Sequence, residues 1–406
     1  MTQGSTGTKP AFQTVGIGGS NVSAFGDLIA VEQSPVIQID FVYGINTQTG
    51  STSINTTGVA DTNASRLRLQ SGVGAAGEAT FTSKRIARYR AGQGMVARFT
   101  AVWTTNAANS TQVAGVGNTQ VGYFFGYNGT AFGLSMRNGG VDGWVDQTNW
   151  NGDVCNGTGA SGFNWNKTLG NVMMIRYPFL GYGAITFWVE NPLTGAWILC
   201  HTIRYPNSSA SVQVSNSSFP FYANVVNSGS TTNLIMYVGS VGVFISGVRE
   251  FLAAQWAIDS LKNTITAEIN LLNIRNCTTY NTVTNSGVIR LRSISASSDN
   301  GNGIGTIRLK KGVTIGGSPS YTTINGTTAD QGVTITSGNS IASYDVAGTG
   351  VTGTTVFNLS LSRNSNFSID LTPFRIFIEP AEILTVTAFS AVAASMQVCL
   401  NWNEDA

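Results

Sequence analysis

Charge is scarce in this sequence. Of its 406 residues, 22 are Lys or Arg and 20 are Asp or Glu, so 10% of the chain is charged, against about 25% in ordinary soluble domains. The net charge of +2 produces no long-range field, which argues against binding driven by phosphate neutralisation, and we predict no nucleic-acid partner. Gly, Ser, Thr and Asn supply the polarity that charge usually supplies.

Long apolar runs are also missing. No stretch approaches the ~18 apolar residues of a membrane span, so we predict no membrane partner. The first ten residues lack the basic and then apolar pattern of a secretory signal, and we expect the chain to begin at or near Met1. The content of 42% hydrophobic and 10% aromatic residues excludes a disordered chain, and the length predicts two or three domains.

Cysteine and histidine are too few for most catalytic or metal chemistry. The four cysteines are Cys155, Cys200, Cys277 and Cys399. They share no C-x-x-C spacing, so we predict free thiols and neither a zinc site nor a disulfide framework. The single histidine, His201, follows Cys200 in a predicted strand, where neighbours face opposite ways. We therefore predict a structural histidine. Without a phosphate-binding Gly motif, we predict no cofactor.

Carboxylates show no catalytic spacing either. Glycoside hydrolysis needs two converging carboxyl groups, but Glu190 is isolated, while Glu379 and Glu382 flank Pro380 in a predicted turn. We predict these glutamates to be solvated and the chain to be no enzyme. The basic cluster of residues 84–90, with Lys84, Arg85, Arg88 and Arg90, is predicted to be the solvent face of a strand.

What the sequence does contain is alternation with period two. Ile37, Ile39, Phe41 and Tyr43 share one predicted strand face. The same holds for Ala97, Phe99, Ala101 and Trp103, and for Ile185, Phe187 and Val189. Such alternation is typical of half-buried strands. The Gly- and Asn-rich segments between them, such as Asn138-Gly139-Gly140, favour hairpin turns. The sequence therefore predicts an all-β fold.

One stretch departs from this pattern. Residues 249–261, REFLAAQWAIDSL, have the composition of a short helix, and the alternative is a linker followed by a strand. We place the domain junction here. The prediction is an extended N-terminal arm over 1–35, a jelly-roll sandwich over 36–247, a junction over 248–267 and a C-terminal β-sandwich over 268–406. In the second sandwich we predict strands at 288–294, 306–309, 356–361 and 395–402.

The richest polar and aromatic constellation lies in residues 142–165. Its members are Asp142, Trp144, Asp146, Asn149, Trp150, Asp153 and Trp165. Exposed indoles stack on sugar rings, and Asp and Asn oxygens suit Ca²⁺, so these residues form a candidate glycan-binding site. The alternative is a long loop in which the Trp side chains are buried and the Asp and Asn side chains cap turns. No spacing of established metal loops occurs.

Several stretches together resemble a known family. They are Phe25-Gly-Asp-Leu28 followed by 35–46, Trp150-Asn-Gly-Asp153, 175–183, Val189-Glu-Asn-Pro-Leu-Thr-Gly195, 199–205 and Leu400-Asn-Trp-Asn-Glu-Asp405. In this order they resemble virion structural proteins of tailed bacteriophages, with relatives in large DNA viruses. The resemblance implies a concanavalin-like jelly roll with a smaller C-terminal β-sandwich, and an extended rather than helical Gln255–Leu261. It assigns no catalytic residue.

The functional expectation is a non-enzymatic structural component of a phage virion, such as a capsid decoration, fibre or tail-associated protein. We expect it to be assembled in the host cytoplasm into homo-oligomers, with a trimer as the expected form, and to be attached to other virion proteins through the N-terminal arm. Neutral faces suit dense packing because they avoid like-charge repulsion. The alternative is a lectin-like receptor-binding module that recognises host-surface glycans.

Overall fold

The structure is a computed structural model that describes residues 33–178, 180–247, 254–280, 283–299, 303–324 and 340–405. The predicted N-terminal arm therefore lies outside the described residues, apart from its last three positions. Phe25–Leu28 and the first part of the predicted junction, residues 248–253, also lie outside them.

Strands dominate, and we number them in chain order. Those of the first sandwich are β1 Gln33–Asp40, β2 Gly50–Asn55, β3 Val59–Asn63, β4 Arg66–Gln70, β5 Glu78–Ala87, β6 Met95–Trp103, β7 Ser110–Gly117, β8 Gly122–Asn128, β9 Ala131–Asn138, β10 Val141–Asp146, β11 Asn171–Tyr177, β12 Ile185–Glu190, β13 Trp197–Ile203, β14 Phe219–Asn227 and β15 Ile235–Ser246. A 3₁₀ turn, Gln147–Asn149, follows β10.

The second sandwich continues the numbering. Its strands are β16 Ala254–Ile265, β17 Ile269–Asn276, β18 Thr279–Tyr280, β19 Val283–Thr284, β20 Val288–Ser298, β21 Gly305–Lys311, β22 Thr322–Thr323, β23 Ala342–Asp345, β24 Thr354–Leu361, β25 Asn366–Asp370, β26 Phe377–Ile378, β27 Ile383–Ser390 and β28 Ala394–Asp405. A second 3₁₀ turn, Thr372–Phe374, precedes β26.

The first sandwich consists of two antiparallel sheets, as expected for the predicted jelly roll. One sheet has the order β13-β12-β11-β6-β15-β4-β3, with β1 also paired to β15, and the other has the order β10-β9-β8-β7-β14-β5-β2. The core between them is aromatic. Phe125 of the second sheet packs edge-on against Phe187 of the first at 5.3 Å between ring centroids, and Phe99 lies 6.5 Å from Phe125.

The second sandwich has a separate core. Its sheets have the orders β16-β28-β20-β25, with β26 paired to β20, and β22-β23-β17-β27-β21-β24. Trp402 of β28 and Leu272 of β17 are buried in this core together with Val386 of β27. Since each sandwich buries its own apolar residues, the predicted all-β class with a jelly roll and a smaller sandwich is confirmed. The domain boundaries drawn from the sequence stay a prediction.

Alternation predicted the buried faces well. Ile185, Phe187 and Val189 are fully buried, while Thr186 and Trp188 on the same strand are partly exposed. The other predicted inward faces are buried in the same way, namely Ala97, Phe99, Ala101 and Trp103 of β6 and Ile37, Ile39 and Phe41 of the first strand and its end.

Tyr43 is the exception to the predicted alternation. Its side chain is fully exposed, because β1 ends at Asp40 and the chain turns through Gly44, whose φ of 98° favours glycine. The turn carries Tyr43 away from the core, so its prediction as an inward residue was wrong.

Predictions for the second half also hold. The strands predicted there lie inside β20, β21, β24 and β28. Gln255–Leu261 lies in β16, which pairs antiparallel with β28 and places Trp256 opposite Trp402. The strand is therefore confirmed for this stretch and the helix is not formed there. The described residues contain no helix of the length and hydropathy that a membrane crossing needs.

Candidate functional site

The candidate glycan-binding residues begin on β10, at the edge of the second sheet. Asp142 is held by its neighbour strand: Ser135 Oγ donates to its Oδ1 at 2.6 Å, and Arg137 donates from Nε and Nη2 to its two carboxylate oxygens, each at 3.0 Å. This bidentate pair occupies both oxygens. Trp144 is half-buried and packs against a small cluster of Val113, Phe124 and Tyr222. Both residues therefore have partners within the chain.

The next two candidates flank the 3₁₀ turn. Asp146 precedes it and makes no side-chain hydrogen bond to the turn, and Asn149 is its last residue and is exposed. Trp150 and Trp165 lie beyond the turn and are 5% and 2% exposed. Their rings are 6.1 Å apart in the jelly-roll core. A buried indole offers no face to a sugar from solvent.

Asp153 organises the loop between the two buried indoles. Its Oδ1 accepts a hydrogen bond from the Cys155 backbone N at 2.8 Å, and its Oδ2 accepts one from the Ser161 backbone N at 2.7 Å. Burial raises the pKa of this carboxyl, but the backbone hydrogen bonds outweigh it and leave the pKa lowered. A Cβ at Gly159 would lie 2.1 Å from Oδ1, so the loop closes tightly on the carboxylate.

The seven candidates do not converge on one surface. Two are buried in the core, Asp142 is ion-paired on a strand, and Asp153 is bonded to its own loop. Glycan binding by these residues stays a prediction, and the burial of Trp150 and Trp165 counts against it. Within the described part of the chain, no group of three or more His, Cys, Asp or Glu side chains is arranged to hold a metal ion.

His201 has a structural partner on this same loop. It is 8% exposed, and its Nδ1 accepts a hydrogen bond from the Asn151 backbone N at 3.1 Å. Burial lowers its pKa, as does the charge of Arg204. The four cysteines are free thiols, as predicted. Cys155 and Cys200 are buried with their sulfur atoms 3.8 Å apart, and burial raises the pKa of Cys200.

The most elaborate charged site joins the two sandwiches. Arg88, just after β5, is 8% exposed. Its Nε donates to the backbone oxygen of Ser286 in the second sandwich, and its Nη2 lies 3.8 Å from Glu379 Oε2. Asn216 Nδ2 also donates to Ser286 Oγ at 3.3 Å. We call these contacts, with those of Glu382 below, the junction.

Glu379 is unusual among the acidic groups. Its side chain is 13% exposed, and burial raises its pKa to about 7, an effect that the charge of Arg88 opposes and that of Glu382 reinforces. Glu382 is bound by lysines of both sandwiches: Lys311 Nζ lies 2.8 Å from its Oε2 and Lys84 Nζ lies 3.8 Å from its Oε1. Its Oε2 also accepts the Glu379 backbone N–H at 3.1 Å.

Two expectations are corrected by the junction. Lys84 and Arg88 do not form a solvent face, because they lie beside carboxylates of the second sandwich. Arg85 is exposed, as predicted, and also stacks its guanidinium over the Phe377 ring at 5.2 Å. Glu379 and Glu382 are not solvated, because burial between the sandwiches removes most of their surface from water. Nothing local to the acidic pair or to the basic run in the sequence indicates that the two would meet.

The carboxyl pair of the junction is poorly placed for hydrolysis. A carboxyl group of raised pKa near a second carboxyl group is an arrangement that glycosidases use. However, the cavity that Glu379 lines has a volume of about 20 Å³, which holds about one water molecule. Glu382 lines a separate cavity of about 370 Å³ together with Lys84 and Lys311. A sugar residue has no access to both carboxyl groups at once.

Similarity to known proteins is found among solved structures and covers about half of the chain. No family model matches the sequence, and no curated protein matches it. Among solved structures, the carbohydrate recognition domain of Emp47p is 10% identical and covers 53% of this chain and 98% of its own, with a TM-score of 0.35. A glycoside hydrolase family protein from Mycobacterium thermorestibile is 10% identical and covers 52% of this chain and 100% of its own, with a TM-score of 0.36.

A third similar structure comes from a phage. The CBM2 module of the evolved Dit of Lactobacillus casei BL23 phage J-1 is 9% identical and covers 55% of this chain and 100% of its own, with a TM-score of 0.37. At such identities and TM-scores, none of these names determines what this chain binds or cleaves. The resemblance to virion structural proteins accordingly stays a prediction.

Proposed function

We propose that this chain is a non-enzymatic structural component of a virion surface, built as a rigid two-sandwich module that assembles into homo-oligomers. The proposal rests on the pairing of charged side chains within the chain. At least seven of the 22 basic side chains are paired with carboxylates of the chain itself. The outer surface is therefore still more neutral than the composition indicates.

A neutral surface is suited to dense assembly. Repulsion between identical copies grows with their charge. In a homo-oligomer each copy contacts other copies through the same surfaces, so a weakly charged surface keeps this repulsion small. The pairs at the junction support the rigidity of the module. Arg88 of one sandwich is largely buried and contacts Glu379 and the backbone oxygen of Ser286 in the other, so separating the sandwiches would leave this cation without its partners.

The absence of an accessible carboxyl pair at the junction supports a non-enzymatic role. Glu379 and Glu382 face cavities of very different size, and both carboxyl groups contact basic side chains that join the sandwiches. Their arrangement suits adhesion of one domain to the other. We place attachment to other virion proteins in the N-terminal arm, and a trimer remains the proposed oligomer.

Purified particles provide the experiment. Particles banded on a density gradient and washed in high salt are expected to retain this chain at a fixed copy number, measured by quantitative mass spectrometry against a known capsid protein. A host protein of similar abundance serves as the control and is expected to be washed away. Recovery of the chain in the wash together with that host protein would contradict the proposal.

A further inference from the structure

A cleft between the two sandwiches differs from the rest of the molecule in charge. It has a volume of about 400 Å³ and is lined by Arg85 of β5, Arg290 and Arg292 of β20, Arg375, Phe377 of β26 and Asn403 of β28, among others. No Asp or Glu is among its described lining residues. Four guanidinium groups therefore surround one cavity without a carboxylate in its wall.

The aromatic ring of the cleft brings two of these groups together. The guanidinium of Arg85 lies 5.2 Å from the centroid of the Phe377 ring, and that of Arg290 lies 5.1 Å from it. Such cation–π contacts attract each arginine to the ring. They place two like charges, one from each sandwich, at the same side chain.

Three of the four arginines of the cleft form no ion pair, although the charges of Arg85 and Arg292 act on the carboxyl groups of Glu379 and Asp370. Arg85, Arg292 and Arg375 form no ion pair with a carboxylate of the described residues, although Lys84 and Arg88 on the same segment as Arg85 do. Converging positive charges repel one another, and water weakens this repulsion at Arg85, Arg292 and Arg375 because their side chains are exposed. An anion bound between them would remove this cost.

We propose that the cleft binds an acidic sugar, that is, a carboxylate-bearing residue of an anionic glycan. The planar fork of arginine matches a carboxylate with two parallel hydrogen bonds. The cavity volume falls in the range of about 300–1,000 Å³ typical of small-ligand sites. This inference goes beyond the structural role proposed above and does not depend on it.

A buried polar group of the cleft, the Asn403 side chain, favours a sugar over a simple anion. Asn403 is 6% exposed, and its Oδ1 is buried and accepts no hydrogen bond from the described residues. A side-chain amide can reorient about its terminal bond to present either polar atom. A hydroxyl donor of the ligand would satisfy this acceptor, which a bare carboxylate or phosphate cannot do.

Nucleic acid is the less favoured anion. Binding of single strands relies on bases stacked on open aromatic faces, and the Phe377 ring already carries two guanidinium groups. Duplex binding relies on a large positive field, which a net charge of +2 does not supply. The ligand is therefore better described as a glycan bearing isolated carboxylates.

Calorimetry on the full chain tests the proposal. Tetragalacturonate is titrated into the protein, with the neutral galactose tetramer as the matched ligand control. We expect measurable binding of the acidic tetramer, at least about tenfold weaker binding of the neutral one, and a similar loss in the double variant R292Q/R375Q. Both arginines are exposed, so the variant is expected to fold. Arg363→Gln, an exposed arginine of another loop, is the protein control and is expected to bind as the parent does.

Three results would overturn the proposal. The first is no heat with tetragalacturonate while the chain is folded by circular dichroism. The second is equal affinity for the acidic and neutral tetramers, or for the parent chain and R292Q/R375Q. The third is tighter binding of inorganic phosphate or of an oligothymidylate than of the acidic tetramer, which would assign the cleft to phosphate chemistry. None of these results bears on whether purified particles contain the chain.

Discussion

Replacement of Trp150 by Ala is expected to lower the free energy of unfolding by about 3–5 kcal/mol. The indole is 5% exposed and packs against Phe125, Phe132 and Trp165, with ring centroids 6.1–6.3 Å apart. Removing it leaves a cavity among large aromatic side chains that cannot collapse without moving both sheets. Urea unfolding of the parent and variant, followed by circular dichroism, measures the difference.

The neighbouring Asn149→Ala is the matched control. Asn149 is exposed at the end of the 3₁₀ turn, so its replacement is expected to change stability by no more than about 0.5 kcal/mol. A loss below about 1 kcal/mol for Trp150→Ala would show that the indole is not a core residue in solution. The ligand-binding role predicted for it would then regain support.

Glu379→Gln is expected to change how stability depends on pH. The pKa of Glu379 is about 7 in the folded chain and near 4.5 when unfolded, so the folded state binds the proton more tightly. This group therefore stabilises the fold most below pH 4.5, and that contribution is lost as the pH rises through 7. Glutamine is neutral throughout and removes the dependence.

The size of this effect follows from the difference between the folded and unfolded pKa values of Glu379. Each pKa unit corresponds to about 1.4 kcal/mol, so the stability of Glu379→Gln relative to the parent is expected to rise by about 3 kcal/mol between about pH 4 and about pH 8. Urea unfolding at several pH values gives this double difference, in which the other titrating groups cancel. Glu190→Gln, at the end of β12, makes the same chemical change far from the junction. A pH-independent difference for Glu379→Gln would mean that the carboxyl is ionised and solvated.

The sequence could predict the strands because burial alternates along them. Phe187 and its neighbours at i±2 face the core, and this period is local and needs no knowledge of the partner strand. Tyr43 shows the limit of this reasoning, since the pattern continues past the residue at which the strand ends. The strand at Gln255–Leu261 was predicted against its helix propensity by resemblance, and pairing with β28 provides the physical reason.

The junction could not be predicted in the same way. Arg88 and Glu379 are far apart in the sequence, and nothing local to either indicates a partner. A charged run is usually a solvated strand face, and this holds until a second domain covers it. The cleft could not be predicted from the sequence either, because its four arginines come from three separate segments of the chain. Trp150 and Trp165 illustrate the converse, because indoles in a Gly- and Asn-rich loop are buried by the fold around them.

Assembly through neutral surfaces is the claim on which the proposed function depends, and sedimentation equilibrium of the purified chain tests it most directly. We expect reversible association with a dissociation constant that changes by no more than about twofold between about 0.05 M and about 0.5 M NaCl, because contacts without charge are not screened by salt. A chain that stays monomeric up to about 100 μM, or an affinity that falls more than about tenfold over this salt range, would contradict the claim.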